Sequence, residues 1–219
     1  ALIAAGVPSV SANATSTVAL VPSALASAYA YRKDFTGFPG VPFWKMAAVS
    51  VAGGICGALL LMVTPQRMFD MLVPWLLLFG VVMFAFGKQA GEWLRARVHI
   101  GAGALIVMQF VLGCYGGYFG GAVGIMMMAA WSLMTDKSVA AMQPSRNLLN
   151  AAMNATASIL FIVGAMVSWR HMLAMLVGAV VGGYLGAHYA RRLDPVRARI
   201  WISIFNACIT ALVFWKTYG

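Results

Sequence analysis

The chain has 219 residues, of which 62% are hydrophobic and 9% are charged, and its formal net charge at pH 7 is +10. Because so few polar groups cannot cover a water-soluble globule of this length, the composition predicts an integral membrane protein. The basic residues lie in short connectors between apolar runs and not along one face of a soluble fold. This distribution favours contact with the lipid bilayer and argues against nucleic acid as a partner.

Apolar runs long enough to cross a bilayer, which takes about 20 residues, predict the helices. In chain order the predicted spans are 9–31, 43–64, 69–87, 143–168, 171–190 and 199–216. A further apolar stretch, 98–134, is too long for one comfortable span and short for two. Glycine in its middle weakens the helix, so we expect a break there that lines a watery cavity or is buried in protein. The same glycines also fit close helix packing, and both roles stay open.

One motif occurs twice. Residues 53–58 read Gly-Gly-Ile-Cys-Gly-Ala and residues 182–187 read Gly-Gly-Tyr-Leu-Gly-Ala. A proline follows each copy at nearly the same distance, at Pro65 and at Pro195. A repeat of this length that consists almost wholly of apolar residues predicts two homologous halves around a central site.

We place the first repeat at 1–90 and the second at 91–219, within one integral membrane domain. The second repeat has a glycine-rich run before Met142, whereas the first starts too late to contain one. We therefore expect a further glycine-rich hydrophobic segment upstream of Ala1.

The connector charges indicate how the stretch 98–134 crosses. If it crosses once, Lys and Arg are spread almost evenly over the two faces; if it goes in and returns, most of them lie on one face. The positive-inside rule favours the return, with the basic face in the cytoplasm. Equivalent connectors of the two halves then lie on opposite faces. The predicted fold is therefore an all-α polytopic membrane protein with inverted repeats and a glycine-broken segment at the start of the second half.

Amides form a long polar face after Pro144, whose ring suits a helix start. Arg146, Asn150 and Asn154 are four residues apart and share this face, with Asn147 beside it. Because amides are costly in lipid, the face should point at protein or at a cavity. A guanidinium near a helix start has donors shaped for anion oxygens, so we predict that Arg146 supplies the main positive charge for an anionic solute. Alternatively, Arg146 reaches the membrane interface and the asparagines bond to neighbouring helices.

The corresponding first-half segment, 11–17, also begins a span and consists of small donors. Two helix starts that face each other would form a donor-rich anion pocket. Alternatively, at least two of the hydroxyls cap the helix or bond back to its preceding turn. The candidate binding residues are Asn13, Thr15, Ser16, Gly116, Gly117, Gly120, Gly121, Arg146, Asn147, Asn150 and Asn154.

Enzyme motifs are missing from the sequence. It has no Walker-type phosphate loop, no G-x-S-x-G elbow and no His, Asp or Glu cluster, so we predict no enzyme, no cofactor and no metal. No carboxylate lies in the middle of a span, which disfavours a carboxylate proton relay. Besides a transporter, two classes stay open: a membrane scaffold or assembly protein that binds a partner helix, and an anion channel.

The order of these motifs resembles the sulfite exporter TauE/SafE-like family over essentially the whole chain. The matching residues are Gly-Val-Pro at 6–8 with 12–16 after it, the glycine pairs at 116–117 and 120–121, and the two Gly-Gly-x-x-Gly-Ala motifs. Two features depart from the family: the first glycine-rich segment is absent, and Tyr118 and Phe119 interrupt the second. The resemblance implies secondary transport of small sulfur-containing anions, such as sulfite or organosulfonates, across the bacterial cytoplasmic (inner) membrane. A homo-oligomer stays open.

Overall fold

The computed structural model describes residues 2, 6–30, 41–95, 101–132, 139–190 and 195–218, and these form helices without a β-sheet. In chain order the helices are α1 Ser9–Ala30, α2 Phe43–Val63, α3 Gln66–Arg95, α4 Ala102–Tyr118, α5 Val123–Ser132, α6 Val139–Val163, α7 Trp169–Ala190 and α8 Pro195–Tyr218. The prediction of an all-α protein is confirmed for the described residues.

Two of the described helices have the length and apolar character of a membrane span. They are Phe43–Val63, with a mean hydropathy of 2.2, and Gln66–Met83, with a mean hydropathy of 1.4. α4 is shorter but also apolar. Large apolar side chains such as Leu60, Val63 and Trp75 are exposed on the outside of the bundle. In water such a surface would be costly, whereas hydrocarbon tails solvate it.

Helix α6 begins earlier than the sequence predicted. Pro144 lies inside the helix, which starts at Val139. Because proline has no backbone N–H, one hydrogen bond in the second turn of α6 is missing. Because the residues between Val139 and Pro144 favour helix, they extend α6 beyond the predicted start.

Among the described residues, helices α2 and α4 lie in very close contact. A Cβ atom added to Gly113 would lie 3.1 Å from Gly53 Cα, and one added to Gly57 would lie 2.7 Å from the backbone nitrogen of Tyr118. Only residues without a side chain allow two helix backbones to approach so closely. The first Gly-Gly-x-x-Gly-Ala motif is therefore a packing surface for α4.

A buried polar network joins α2, α4 and α5. The side-chain amide of Gln109 donates to Ser50 Oγ at 2.8 Å and accepts a hydrogen bond from Trp131 Nε1 at 3.0 Å. The hydroxyl of Ser50 donates in turn to the carbonyl of Met46 at 2.6 Å. Because each of these buried groups is paired, the network holds the end of α5 beside α4 without a desolvation penalty.

Four residues, 119–122, separate α4 from α5 and are not helical. Gly120 and Ala122 have positive φ values of 76° and 60°. Glycine adopts this conformation freely, whereas alanine is strained there. The chain therefore changes direction at these residues.

Helices α1 and α6 pack against each other in opposite directions. Near the end of α1, Ser27 contacts Asn147 in the first half of α6. Near the start of α1, Ser11 donates to the carbonyl of Met166, and Thr15 accepts the backbone N–H of Ser168. Since Met166 and Ser168 follow α6, the two helices run antiparallel.

Candidate functional site

A cavity of about 440 Å³ lies between α1, α6 and the residues that join α4 to α5. The predicted candidates on its wall are Asn13, Ser16, Gly120, Gly121, Asn147, Asn150 and Asn154. The structure thus brings residues from both predicted halves to one cavity. The other predicted candidates, Thr15, Gly116, Gly117 and Arg146, lie off this wall.

Within the described part of the chain, the cavity wall carries amides, hydroxyls and a few apolar side chains but no ionisable group. The apolar part comes from Leu20, Ala24 and Phe119. A solute in this cavity would therefore meet neutral hydrogen-bonding groups on one part of the wall and hydrocarbon on another.

The hydroxyls of α1 bond mainly to their own helix. Ser16 Oγ donates to the carbonyl of Ala12 at 2.7 Å, and Thr17 Oγ1 donates to the carbonyl of Asn13 at 3.0 Å. The alternative that at least two hydroxyls bond back to the preceding turn is confirmed. Because the hydrogens of Ser16 and Thr17 are occupied, these two hydroxyls offer a solute only acceptor lone pairs.

Thr15 is fully buried and lies outside the cavity. Its hydroxyl oxygen accepts the backbone N–H of Ser168 at 3.0 Å. Ser168 Oγ in turn lies 2.7 Å from Nδ1 of His171, at the start of α7. Thr15 therefore holds α1 to the connector between α6 and α7.

The prediction that the starts of the two polar helices face each other is wrong. The first turn of α1 contacts α3: the backbone N–H of Val10 donates to Gln66 Oε1 at 3.2 Å, and the hydroxyl of Ser9 bonds to Asp70. Since α1 and α6 are antiparallel, the start of one lies beside the end of the other. Sequence periodicity cannot reveal this direction, because it depends on how distant helices pack.

The glycines of the second run divide into two groups. A Cβ atom added to Gly117 would lie 2.9 Å from Gly54 Cα, and one added to Gly116 would lie 3.3 Å from Val123 Cγ2. These two are buried in helix contacts, whereas Gly120 and Gly121 lie on the cavity wall. Gly116 and Gly117 thus pack against other helices, and the role of Gly120 and Gly121 in solute binding stays a prediction.

The cavity wall on α6 is formed by Asn147, Asn150 and Asn154. Oδ1 of Asn150 is buried and has no hydrogen-bond partner among the described residues. A buried amide without a partner costs free energy unless a ligand or water satisfies it. Asn150 Oδ1 is thus suited to accept a hydrogen bond from water or from a donor group of a solute in the cavity.

Arg146 lies behind Asn147. Its Nη2 and Nε donate to Asn147 Oδ1 at 2.7 and 3.2 Å, and its Nη1 lies 3.6 Å from Met128 Sδ. The amide nitrogen of Asn147 donates to Ser27 Oγ on α1 at 2.9 Å. Arg146, predicted to supply the main positive charge for the solute, therefore lies behind Asn147 and off the cavity wall.

Sequence reasoning missed several wall residues on α1. Thr17, Leu20, Ser23, Ala24 and Ser27 continue the face of Asn13 at helical spacing. The three- and four-residue periodicity of small and polar residues from 13 to 27 carried this signal. The face therefore extends over most of α1 and not only over its first turns.

Comparison with protein families matches residues 1–213 to the family described as sulfite exporter TauE/SafE. The chain belongs to this family. The resemblance inferred from the glycine and small-polar motifs is thereby confirmed. Together with the apolar helices, TauE/SafE membership supports an integral membrane protein.

Curated relatives are similar at low identity. The chain is 27% identical over 172 residues to "Probable membrane transporter protein YfcA" of Escherichia coli (strain K12), which covers 78% of this chain and 64% of the relative. It is 26% identical over 213 residues to a "Probable membrane transporter protein" of Haemophilus influenzae. This match covers 96% of this chain and 82% of the relative. The chain thus spans 64% of the length of the Escherichia coli relative. No solved structure matches the chain.

Proposed function

We propose that this TauE/SafE member is a secondary transporter that moves small anions, of the sulfite and organosulfonate class, by alternating access. The observation that carries the proposal is the cavity between α1 and α6, whose wall combines three asparagines of α6 with Asn13 of α1. The names of the bacterial relatives, which describe probable membrane transporters, support the same class.

The chemistry of the wall suits an anion. Amide nitrogens donate hydrogen bonds, and α5 begins at Val123, two residues after the wall residue Gly121. The first backbone N–H groups of a helix have no partner inside it and carry a partial positive charge. An anion at Gly121 would therefore find backbone donors in addition to the asparagines.

The apolar part of the wall favours an organic anion over a bare inorganic one. Leu20, Ala24 and Phe119 lie on the same cavity as the amides. A sulfonate with a short hydrocarbon chain could place its charged head among the amides and its chain against these side chains. A cavity of about 440 Å³ has room for such a solute with some of its water.

Alternating access between two inverted repeats is the mechanism we propose, with the repeats at 1–90 and 91–219. The antiparallel contact of α1 with α6 supports it, because the small-polar segments of the two halves lie on these helices. Repeats related by an axis in the membrane plane run in opposite directions. The stretch of α4 and α5 would then enter and return, with residues 119–122 at the turn.

The bacterial cytoplasmic membrane is the location we propose, since the relatives are bacterial. Transport is tested with the full-length protein in proteoliposomes that contain radiolabelled sulfite or ethanesulfonate. Saturable flux with counterflow is expected for a transporter. Flux that does not saturate would indicate a channel, and absence of flux would favour a scaffold or assembly protein.

A further inference from the structure

The guanidinium of Arg146 lies behind a residue of the cavity wall, Asn147. Two of its N–H groups donate to the same oxygen, Asn147 Oδ1, at 2.7 and 3.2 Å. Asn147 lies on the cavity wall, whereas Arg146 does not. The amide therefore stands between the charge and the space that a solute would occupy.

These two bonds fix the orientation of the amide. An asparagine can present either its oxygen or its NH2 group to a ligand, and an anion is attracted only by the NH2 group. Because the guanidinium holds Oδ1, the NH2 group of Asn147 points towards α1, where it donates to Ser27 Oγ at 2.9 Å. If the amide of Asn147 were rotated by 180°, its NH2 group would face the N–H groups of Arg146, and donors would oppose donors.

The same bonds strengthen the amide as a donor. Hydrogen bonds from a charged group are stronger than neutral ones, and successive hydrogen bonds polarise each other. The charge of Arg146 thus increases the positive character of the Asn147 NH2 group. One hydrogen of this group is directed at Ser27, and the second is suited to a solute oxygen.

Gly124 at the start of α5 makes room for this arrangement. A Cβ atom at Gly124 would lie 3.1 Å from Arg146 Cδ and 3.5 Å from its Nε. The hydrocarbon part of Arg146 therefore lies directly on the glycine backbone. A side chain at this position would push Nε away from Asn147.

We propose that Arg146 is a positioning residue, which orients and polarises Asn147, and that Asn147 makes the contact with the anion. This inference rests on the proposed transport function. A transported solute has to be bound well enough to enter and weakly enough to leave. An amide backed by a guanidinium meets both requirements, because it attracts an anion without the strong bidentate ion pair that a free guanidinium would form.

A double-mutant cycle tests the proposal. Full-length parent, Arg146→Gln, Asn147→Ala and the double variant are reconstituted, and KM and maximal flux are measured with ethanesulfonate and with sulfite. Each single substitution is expected to raise KM, on the order of tenfold. The double variant is expected to match Asn147→Ala, since a residue that acts through Asn147 has no effect once Asn147 is gone. An Arg146→Gln effect of equal size in both backgrounds would show that Arg146 acts independently of Asn147 and overturn the proposal.

Two further variants keep Arg146 itself. One replaces the amide of Asn147, and the other fills the space beside Arg146 at Gly124. Asn147→Asp retains a partner for Arg146 but has no NH2 group, so we expect saturable flux to be lost; normal KM in this variant would contradict the proposal. Gly124→Ala should raise KM in the parent and leave it unchanged in Asn147→Ala. Arg170→Gln is the matched control for loss of a positive charge, because Arg170 is exposed on α7 and outside the cavity.

Two different failures can be told apart. If the parent shows no saturable flux of either anion, the transport function is wrong and this inference with it. If the parent transports but the effects of Arg146 and Asn147 add, only the role of Arg146 is wrong. Size-exclusion profiles of the purified variants identify any that fail to fold. If Arg146→Gln fails to fold, Arg146→Lys replaces it in the test. Its ammonium group can still donate to Asn147 Oδ1, so we expect a KM between those of the parent and Asn147→Ala.

Discussion

Gly54 and Gly117 face each other, backbone to backbone, where α2 crosses α4. A Cβ atom on Gly117 would lie 2.9 Å from Gly54 Cα. The contact joins the Gly-Gly-x-x-Gly-Ala motif of the first predicted half to the glycine run of the second. It also explains why Gly117 does not reach the cavity wall.

Substitution of Gly117 should therefore destabilise the fold. We expect Gly117→Ala to cost about 1–3 kcal/mol, because the added methyl group has to push two helix backbones apart. Gly103→Ala is the control on the same helix, since a Cβ atom there meets nothing within 4 Å. Alanine at Gly103 should be neutral or stabilise by up to about 1 kcal/mol. Thermal unfolding in detergent measures both, and equal melting temperatures would contradict the packing role of Gly117.

Gly120 should respond differently, because it lies on the cavity wall and has a φ value of 76°. Gly120→Leu is expected to insert into the membrane but to abolish flux, since its side chain would enter the space that we assign to the solute. Part of the effect is backbone strain, about 1–2 kcal/mol for a residue with a side chain in this conformation. Gly120→Ala separates backbone strain from filling of the cavity, because alanine has the same strain but adds little volume. Full flux in Gly120→Leu would show that no solute passes this point.

Asn150 should contribute to affinity through a neutral hydrogen bond. Asn150→Ala is expected to weaken anion binding by about 1 kcal/mol, which corresponds to roughly a fivefold rise in Kd. Asn206→Ala on α8 is the control, because Asn206 is absent from the cavity wall. Anion-dependent shifts of the melting temperature give the two Kd values. An unchanged Kd for Asn150→Ala would assign its amide to helix packing.

The inverted-repeat arrangement can be tested by labelling from the two sides of the membrane. In a variant whose native cysteines Cys56, Cys114 and Cys208 are replaced, single cysteines are placed at Asp34 and at His171. We expect labelling from opposite faces, with Asp34 on the cytoplasmic side, as the positive-inside rule requires. Labelling of both positions from the same face would exclude inverted repeats.

Local pattern in the sequence predicted the helices and the polar faces well. The spans predicted at 9–31 and 43–64 correspond to α1 and α2 almost residue for residue. Asn150 and Asn154 reached the cavity as their four-residue spacing indicated. Such features depend on residues three or four positions apart in one helix, so the sequence alone is enough to predict them.

Only the tertiary structure decided which partner each face meets. Thr15 accepts a hydrogen bond from Ser168, Gly117 packs against Gly54, and Arg146 donates to Asn147. Each of the first two pairings joins residues far apart in the chain, and the third depends on the room that Gly124 leaves. Composition establishes that a polar group inside a membrane protein needs a partner, but the packing of distant helices selects which one, because many partners would satisfy it equally well.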